Sequence, residues 1–235
     1  MNEAAVTVEV EVIYLNLYKG RLVASCLRTS ESGGLKTLQE PLRGAEHPTQ
    51  GARRLLEEVA GPTAVPHEPE MVGVYRYKDR LRHGPILTLS YVVLGRPLGL
   101  TGTWRQWYDL DDPDLFVEND VRHGDTIREA RRAARRLLET KPVAIGMLEH
   151  PDQPFKIDQL KEVYERVRGR RVRIDQTNFR RKVEAARNFV VELHDSEAES
   201  LGEARPGRQP KWYRAGTATE LNPPIRFDPP SKQRR

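Results

Sequence analysis

Asp175-Gln176-Thr177-Asn178-Phe179-Arg180-Arg181-Lys182-Val183-Glu184-Ala185-Ala186-Arg187 decides how the rest of the chain is read. Asp175 is a residue type that caps a helix by accepting from the exposed amides of its first turn, and it predicts a helix over Thr177–Arg187. At about 100° per residue, Phe179, Val183 and Ala186 fall in one narrow sector. Thr177 and Arg181 point the opposite way, with Asn178 beside them. The apolar sector needs a core, which leaves the second face for a groove. Its residue types suit base edges, because Arg pairs bidentately with guanine and Asn with adenine. Arg180 and Lys182 lie on the flanks, where a helix seated in the major groove passes closest to phosphates. An ordinary surface helix with solvated charges shows the same pattern, and the pattern by itself leaves that alternative open.

Upstream, Ile157, Leu160, Val163, Tyr164 and Val167 repeat at helical spacing, and Gly169 can take the left-handed conformation that closes a helix. The connector carries Arg170, Arg171 and Arg173, which supply charge attraction of low specificity. Downstream, Phe189–Leu193 is strand-like and residues 194–210 are polar. Lys211-Trp212-Tyr213-Arg214 then returns as the second strand of a wing. Charge follows the same division. Residues 151–235 hold 19 Lys/Arg against 13 Asp/Glu, whereas the first 150 hold 20 against 21, so the whole +5 excess belongs to the last third. A basic module beside a neutral body fits a polyanion partner, and a basic solvated face fits as well.

The first 150 residues read as alternating strands and helices. Val6–Val12 and Leu22–Leu27 form a strand–turn–strand opening around Tyr18-Lys19-Gly20-Arg21, and residues 30–50 read as a loop rich in Gly, Ser, Pro and Thr. Gln50–Ala60 is a helix stopped by Gly61-Pro62. Met71–Tyr77, Ile86–Leu94 and Trp104–Leu110 are further strands, and Asp125 is placed to cap a helix running to Leu138. Pro151 and Pro154 mark a boundary. The expected organisation is an α/β domain over 1–150, a DNA-binding domain over 151–216, and a disordered Pro-rich tail over 217–235. Cys26 is the only cysteine, so no intrachain disulfide forms. Neither a secretory leader nor a membrane-length apolar run is present, which points to the cytoplasm.

The run Phe155-Lys156-Ile157-Asp158-Gln159-Leu160, continued through Gly169-Arg170-Arg171, Asp175 and Asn178-Phe179-Arg180-Arg181-Lys182-Val183, resembles the C-terminal winged helix of the Nudix-related transcriptional regulators of NAD metabolism. In that family the Asn-Phe-Arg-Arg-Lys run lies on the DNA-contacting helix. The resemblance implies an N-terminal Nudix-like α/β/α domain with a C-terminal winged helix-turn-helix domain, a homodimer, and double-stranded DNA as partner. The family's wing often ends in Gly-Arg-Pro before an aromatic strand. Here Gly207-Arg208-Gln209-Pro210-Lys211 carries one extra residue, and Arg208 and Lys211 are the wing's candidate DNA contacts.

A Nudix enzyme holds divalent metal with carboxylates on the helix motif Arg-Glu-apolar-X-Glu-Glu-X-Gly. On Arg54-Leu55-Leu56-Glu57-Glu58-Val59-Ala60-Gly61 that motif keeps the arginine, the apolar residue, one glutamate and the glycine. Glu46 falls at the upstream acidic position, and Glu40 replaces the preceding glycine. Positions 55, 58 and 59 share one helix face, so Leu55 and Val59 leave Glu58 alone there, too few carboxylates to assemble a metal cluster. Glu57 is expected to pair with Arg53 or Arg54. No cofactor is expected, and the domain reads as a sensor. The resemblance implies a small anionic effector, an ADP-ribose-like nucleotide or sugar derivative. Arg54, Glu58, Lys78 and Arg80 are the candidate contacts, in a site between the sheet and the Gln50–Ala60 helix. A residual nucleoside-diphosphate hydrolase and a ligand-blind nucleic-acid-binding protein are the competing readings.

Overall fold

The computed structural model describes residues 6–28, 35–62, 67–78, 85–96, 106–111, 121–194 and 211–227. They form two compact units, Met1–Ala134 and Arg135–Arg235.

The first unit is built on β1 (Thr7–Tyr18) and β2 (Arg21–Arg28). Lys19 and Gly20 both have positive φ, 48° and 69°, giving the two-residue turn whose twist matches an antiparallel hairpin. β3 (Leu35–Lys36), β4 (Leu38–Pro41), β5 (Glu70–Lys78), β6 (Pro85–Leu94) and β7 (Gln106–Asp109) complete the sheet. Its main path runs β3-β2-β1-β6-β5, with β4 on β1 and β7 on β2. β1 and β6 are parallel, so β1 is central and buried on both faces. The loop expected over residues 30–50 therefore contains two short strands. Leu38-Gln39-Glu40-Pro41 has no alternation to reveal it, and it is recruited by pairing with Glu9–Val12.

Helix α1 (Pro48–Ala60) covers one face of the sheet. Ala52, Leu55 and Leu56 pack on Val10, Val12, Tyr14, Leu38, Tyr91 and Val93, with Val59 against the same cluster. The space expected to admit a metabolite between sheet and helix is thus filled with apolar side chains. Helix α2 (Val121–Thr140) lies on the other face, where Tyr75 of β5 hydrogen-bonds with Thr126. Because α2 begins four residues before Asp125, that residue is not its cap and instead pairs with Arg128 at 2.5 Å. Beneath α2 the sheet carries buried carboxylates. Glu11 accepts from the hydroxyls of Thr37 and Ser90, and Glu9 accepts from Gln39 Nε2 at 2.6 Å. A period-two Glu pair ordinarily marks a solvent face; here the hydroxyl and amide donors meet the hydrogen-bonding demand of burial.

The second unit begins inside α2 rather than at residue 151. Leu137 and Leu138 are buried in it, and a 3-10 turn over Pro142–Met147 buries Val143, Ala144, Ile145 and Met147. β8 (Phe155–Lys156), α3 (Ile157–Arg168), α4 (Gln176–Ala185), β9 (Val190–Glu192) and β10 (Trp212–Ala215) follow. The predicted apolar stripe of α3 is fully buried, and Tyr164 donates its hydroxyl to Leu138 O at 2.8 Å. Gly169 closes α3 at φ 139° and ψ 152°, an extended positive-φ conformation rather than the left-handed helical one. β8, β10 and β9 form a three-stranded antiparallel sheet. At its base, a side-chain carbon on Gly216 would lie 1.9 Å from Asn188 O, so this approach requires glycine.

Residues 217–227, expected to belong to a disordered tail, pack back on the unit. Leu221 and Ile225 are buried, and their amides donate to Thr140 O at 2.7 Å and Glu139 O at 2.9 Å. Phe227 stacks on Phe179 with centroids 5.8 Å apart and meets Tyr164 edge-on at 6.1 Å. Proline-rich composition concealed this segment, because Leu221, Ile225 and Phe227, interrupted by Pro223 and Pro224, sustain no helical or strand period. No helix among the described residues is long and apolar enough to cross a membrane.

Candidate nucleic-acid interface

Helix α4 is fixed before it meets any partner. Asp175 accepts from the Asn178 amide at 2.7 Å, as its place at the N-terminus predicts. Phe179 and Val183 are fully buried and Ala186 nearly so, which anchors one side with about 1.5–3 kcal/mol for each of the two larger side chains. The opposite side is open. Thr177 and Arg181 are exposed and Asn178 is half-buried, and Arg181 Nη2 donates to Asn178 Oδ1 at 3.1 Å. That bond couples the two side chains best suited to reading bases and holds the guanidinium beside the amide.

The flanking cations divide into two kinds. Arg180 donates to Glu184 at 2.8 Å, one turn on, and Glu184 also accepts from Tyr213 of β10 at 2.8 Å. Burial pushes the Glu184 carboxyl up, but the Arg180 and Tyr213 hydrogen bonds overcome it and hold the group below its ordinary value. Arg180 thus braces helix against wing. Lys182 points to the other flank and donates to Arg226 O at 2.5 Å. In the connector Arg170 and Arg171 are exposed, while Arg173 donates to the carbonyls of Arg170 and Val172. Lys211 pairs with Glu192 across the wing strands at 2.6 Å, and Arg208 lies outside the described residues.

In the first unit Arg54 and Glu58 come together in a network the sequence did not reveal. Arg54 binds Glu46 with two hydrogen bonds, 2.8 and 3.0 Å, and reaches Glu40 at 3.3 Å and Glu58 at 3.4 Å. Arg43 holds Glu58 with two more, 2.9 and 3.2 Å, and touches Glu40 at 3.3 Å. The Arg54 hydrogen bonds hold the Glu46 carboxyl below its usual range. Two guanidiniums therefore lie among the three carboxylates of the loop–helix. Leu55 and Val59, at the other two carboxylate positions of the motif, pack with the core. Glu57 pairs with Arg53 at 3.8 Å, and Arg53 also meets Glu68. Lys78 ends β5, and Arg80 lies outside the described residues.

Two helices followed by a β-wing, with the second helix presenting a polar face, define a winged-helix module, here joined to a mixed α/β unit of Nudix-like design. Residues 150–215 match the model of the NrtR DNA-binding winged helix domain. Over nearly the whole chain the fold is that of NrtR from Shewanella oneidensis. The structure of that protein complexed with a 27mer DNA superposes with a TM-score of 0.66 at 18% identity, covering 88% of this chain and 93% of the other. Its DNA-free structure gives 0.67 at 19% identity, covering 89% and 94%. A MutT/nudix family protein from Enterococcus faecalis gives 0.63 at 16% identity, covering 91% and 89%. No curated protein matches the chain.

Proposed function

We propose that this protein is a transcriptional regulator, a repressor, that binds operator DNA as a homodimer through its winged helix and responds to a small anionic metabolite through a Nudix-like domain without hydrolase activity. One observation carries the reading: α4 buries Phe179 and Val183 and leaves Thr177, Asn178 and Arg181 on an open face, inside a domain matched to a DNA-binding winged helix family. Thr177, Asn178 and Arg181 read bases. Arg170, Arg171, Arg173 and Lys182 contact phosphates, Arg208 and Lys211 extend that contact along the wing, and Arg180 supports the helix from its flank. The NrtR structure with DNA supports double-stranded DNA as the ligand.

The sensor half rests on a retained fold whose loop–helix carboxylates are occupied by Arg43 and Arg54. Candidate effector contacts are Arg54, Glu58, Lys78 and Arg80, with an ADP-ribose-like nucleotide or a sugar derivative as the ligand class. With α1 sealed onto the sheet, the ligand approaches the outer, charged side of that helix. Selection of genomic fragments on the purified protein tests the whole reading. A shared inverted repeat with half-sites about 10 base pairs apart, or a multiple of that, is the expected result. Recovery of fragments with no common sequence refutes it.

A further inference from the structure

The second unit contains a cavity of about 770 Å3 beside the recognition helix, within the size range of small-ligand sites. Its charge is one-sided. Arg135 comes from the end of α2, Arg168 from the end of α3, Arg171 and Arg173 from the connector, and Lys182 from α4. Against these five cations stand only Glu139 and Asp175. Glu139 is paired with Arg168 at 3.3 Å, and the Asp175 carboxylate is turned to the Asn178 amide. A net excess of three positive charges therefore converges on one concavity, and low-dielectric walls concentrate such a field.

Several of the cations are also held in place by backbone oxygens. Arg135 donates to Val167 O at 3.3 Å and Arg168 O at 2.8 Å, Arg168 donates to Phe227 O at 2.5 Å, and Lys182 to Arg226 O. Carbonyl partners orient a guanidinium or ammonium without cancelling its charge. Phe227 contributes an apolar wall, with Lys182 and Arg168 over its ring at 5.3 and 5.7 Å. Arg171 is exposed at the rim, with no ion pair or hydrogen bond among the described residues. Fixed cations around an open concavity match the multiple acceptor oxygens of a phosphate.

We propose that this cavity is a phosphate-binding pocket, adjoining the base-reading face at Asn178, whose charge comes from four chain segments and whose wall is closed by the C-terminal segment. The phosphate group is supplied either by the DNA backbone or by a free phosphorylated molecule. In the second case the ligand competes with the operator inside the DNA-binding domain itself.

The full chain is titrated with sodium pyrophosphate by calorimetry, and with duplex DNA over a series of salt concentrations. Arg168→Gln is the principal variant, because Arg168 lies on neither the recognition helix nor its connector. Arg171→Gln is the second, because it breaks no contact within the fold. Arg166→Gln, at an α3 residue that pairs with Glu162 and does not line the cavity, is the control. Pyrophosphate binding that weakens about tenfold in both pocket variants and not in the control establishes a pocket for free phosphorylated ligands. Absent pyrophosphate binding, a fall of about 0.9 in the DNA salt slope for Arg168→Gln and for Arg171→Gln assigns the pocket to a backbone phosphate. If pyrophosphate binds and no duplex does, the operator-binding reading fails and the pocket stands. If neither titration responds to either pocket variant, the proposal is overturned.

Discussion

Phe227→Ala tests whether the segment after the wing is part of the DNA-binding domain. A fully buried phenylalanine costs about 3–5 kcal/mol when truncated. Phe227 is half-buried, which brings the expectation to about 2 kcal/mol. Its contacts make up that sum: a stacked pair with Phe179 at 5.8 Å, an edge contact with Tyr164 at 6.1 Å, and two cations over its ring. Aromatic pairs contribute about 0.5–1.5 kcal/mol beyond their area, and exposed cation–π contacts about 0.5–1. Because a two-unit chain need not unfold in one step, the measurement is hydrogen exchange of the α4 amides in the native protein. Protection of Phe179–Ala185 should fall about thirtyfold, the equivalent of about 2 kcal/mol. Protection within a factor of two of the wild type would show that residues 217–227 lie on the domain without supporting it.

Arg181→Ala should cost about 1–3 kcal/mol on the selected operator and much less on random duplex, whereas Arg170→Ala should weaken both alike; competition titrations measure the ratio, and an unchanged ratio for Arg181→Ala places the reading face elsewhere. The purified protein with Mg2+ or Mn2+ should not turn over ADP-ribose, and steady cleavage abolished by Glu58→Gln would show an active hydrolase. The Glu46 carboxyl is depressed below 4.5 by Arg54, so its contribution to stability is complete above that value and is lost as pH falls through the lower folded-state value. Arg54→Ala should therefore flatten the acid limb of a melting-temperature profile below pH 4.5, and an unaltered limb would show that the pair contributes nothing to folding.

Much of the winged helix was legible because its signals are local. Asp175 caps where a first-turn acceptor should, and the Phe179, Val183 and Ala186 sector is buried as the helical period requires. The same logic fails where structure depends on partners distant in sequence. β4 exists through its pairing with β1, β8 through its pairing with β10, and the 217–227 segment through carbonyls at residues 139 and 140. The division within α2 has a similar origin: Pro151 and Pro154 form a surface turn, while the buried residues that begin the second unit precede them. Among site residues, Thr177 and Arg181 could be placed by counting along one helix. Arg135, Arg168 and Phe227 meet only after the chain has folded, and no spacing announces them.

The ion network at the start of α1 bears on ancestry as well as on chemistry. If the loop–helix descends from a metal site, regaining one would need at least three changes that are each unfavourable alone. A glutamate at Leu55, which is 3% exposed, would place a charge among the apolar side chains of a packed core. A glutamate at Val59 would disturb the packing there, and while Arg43 and Arg54 remain, an incoming metal ion would have to displace two bidentate guanidinium pairs. Intermediates on that path lose stability before they gain affinity for a cation. On that descent, the exchange of metal for arginine acts as a ratchet: each single substitution back toward a cation site lowers stability before it offers a cation anything to bind.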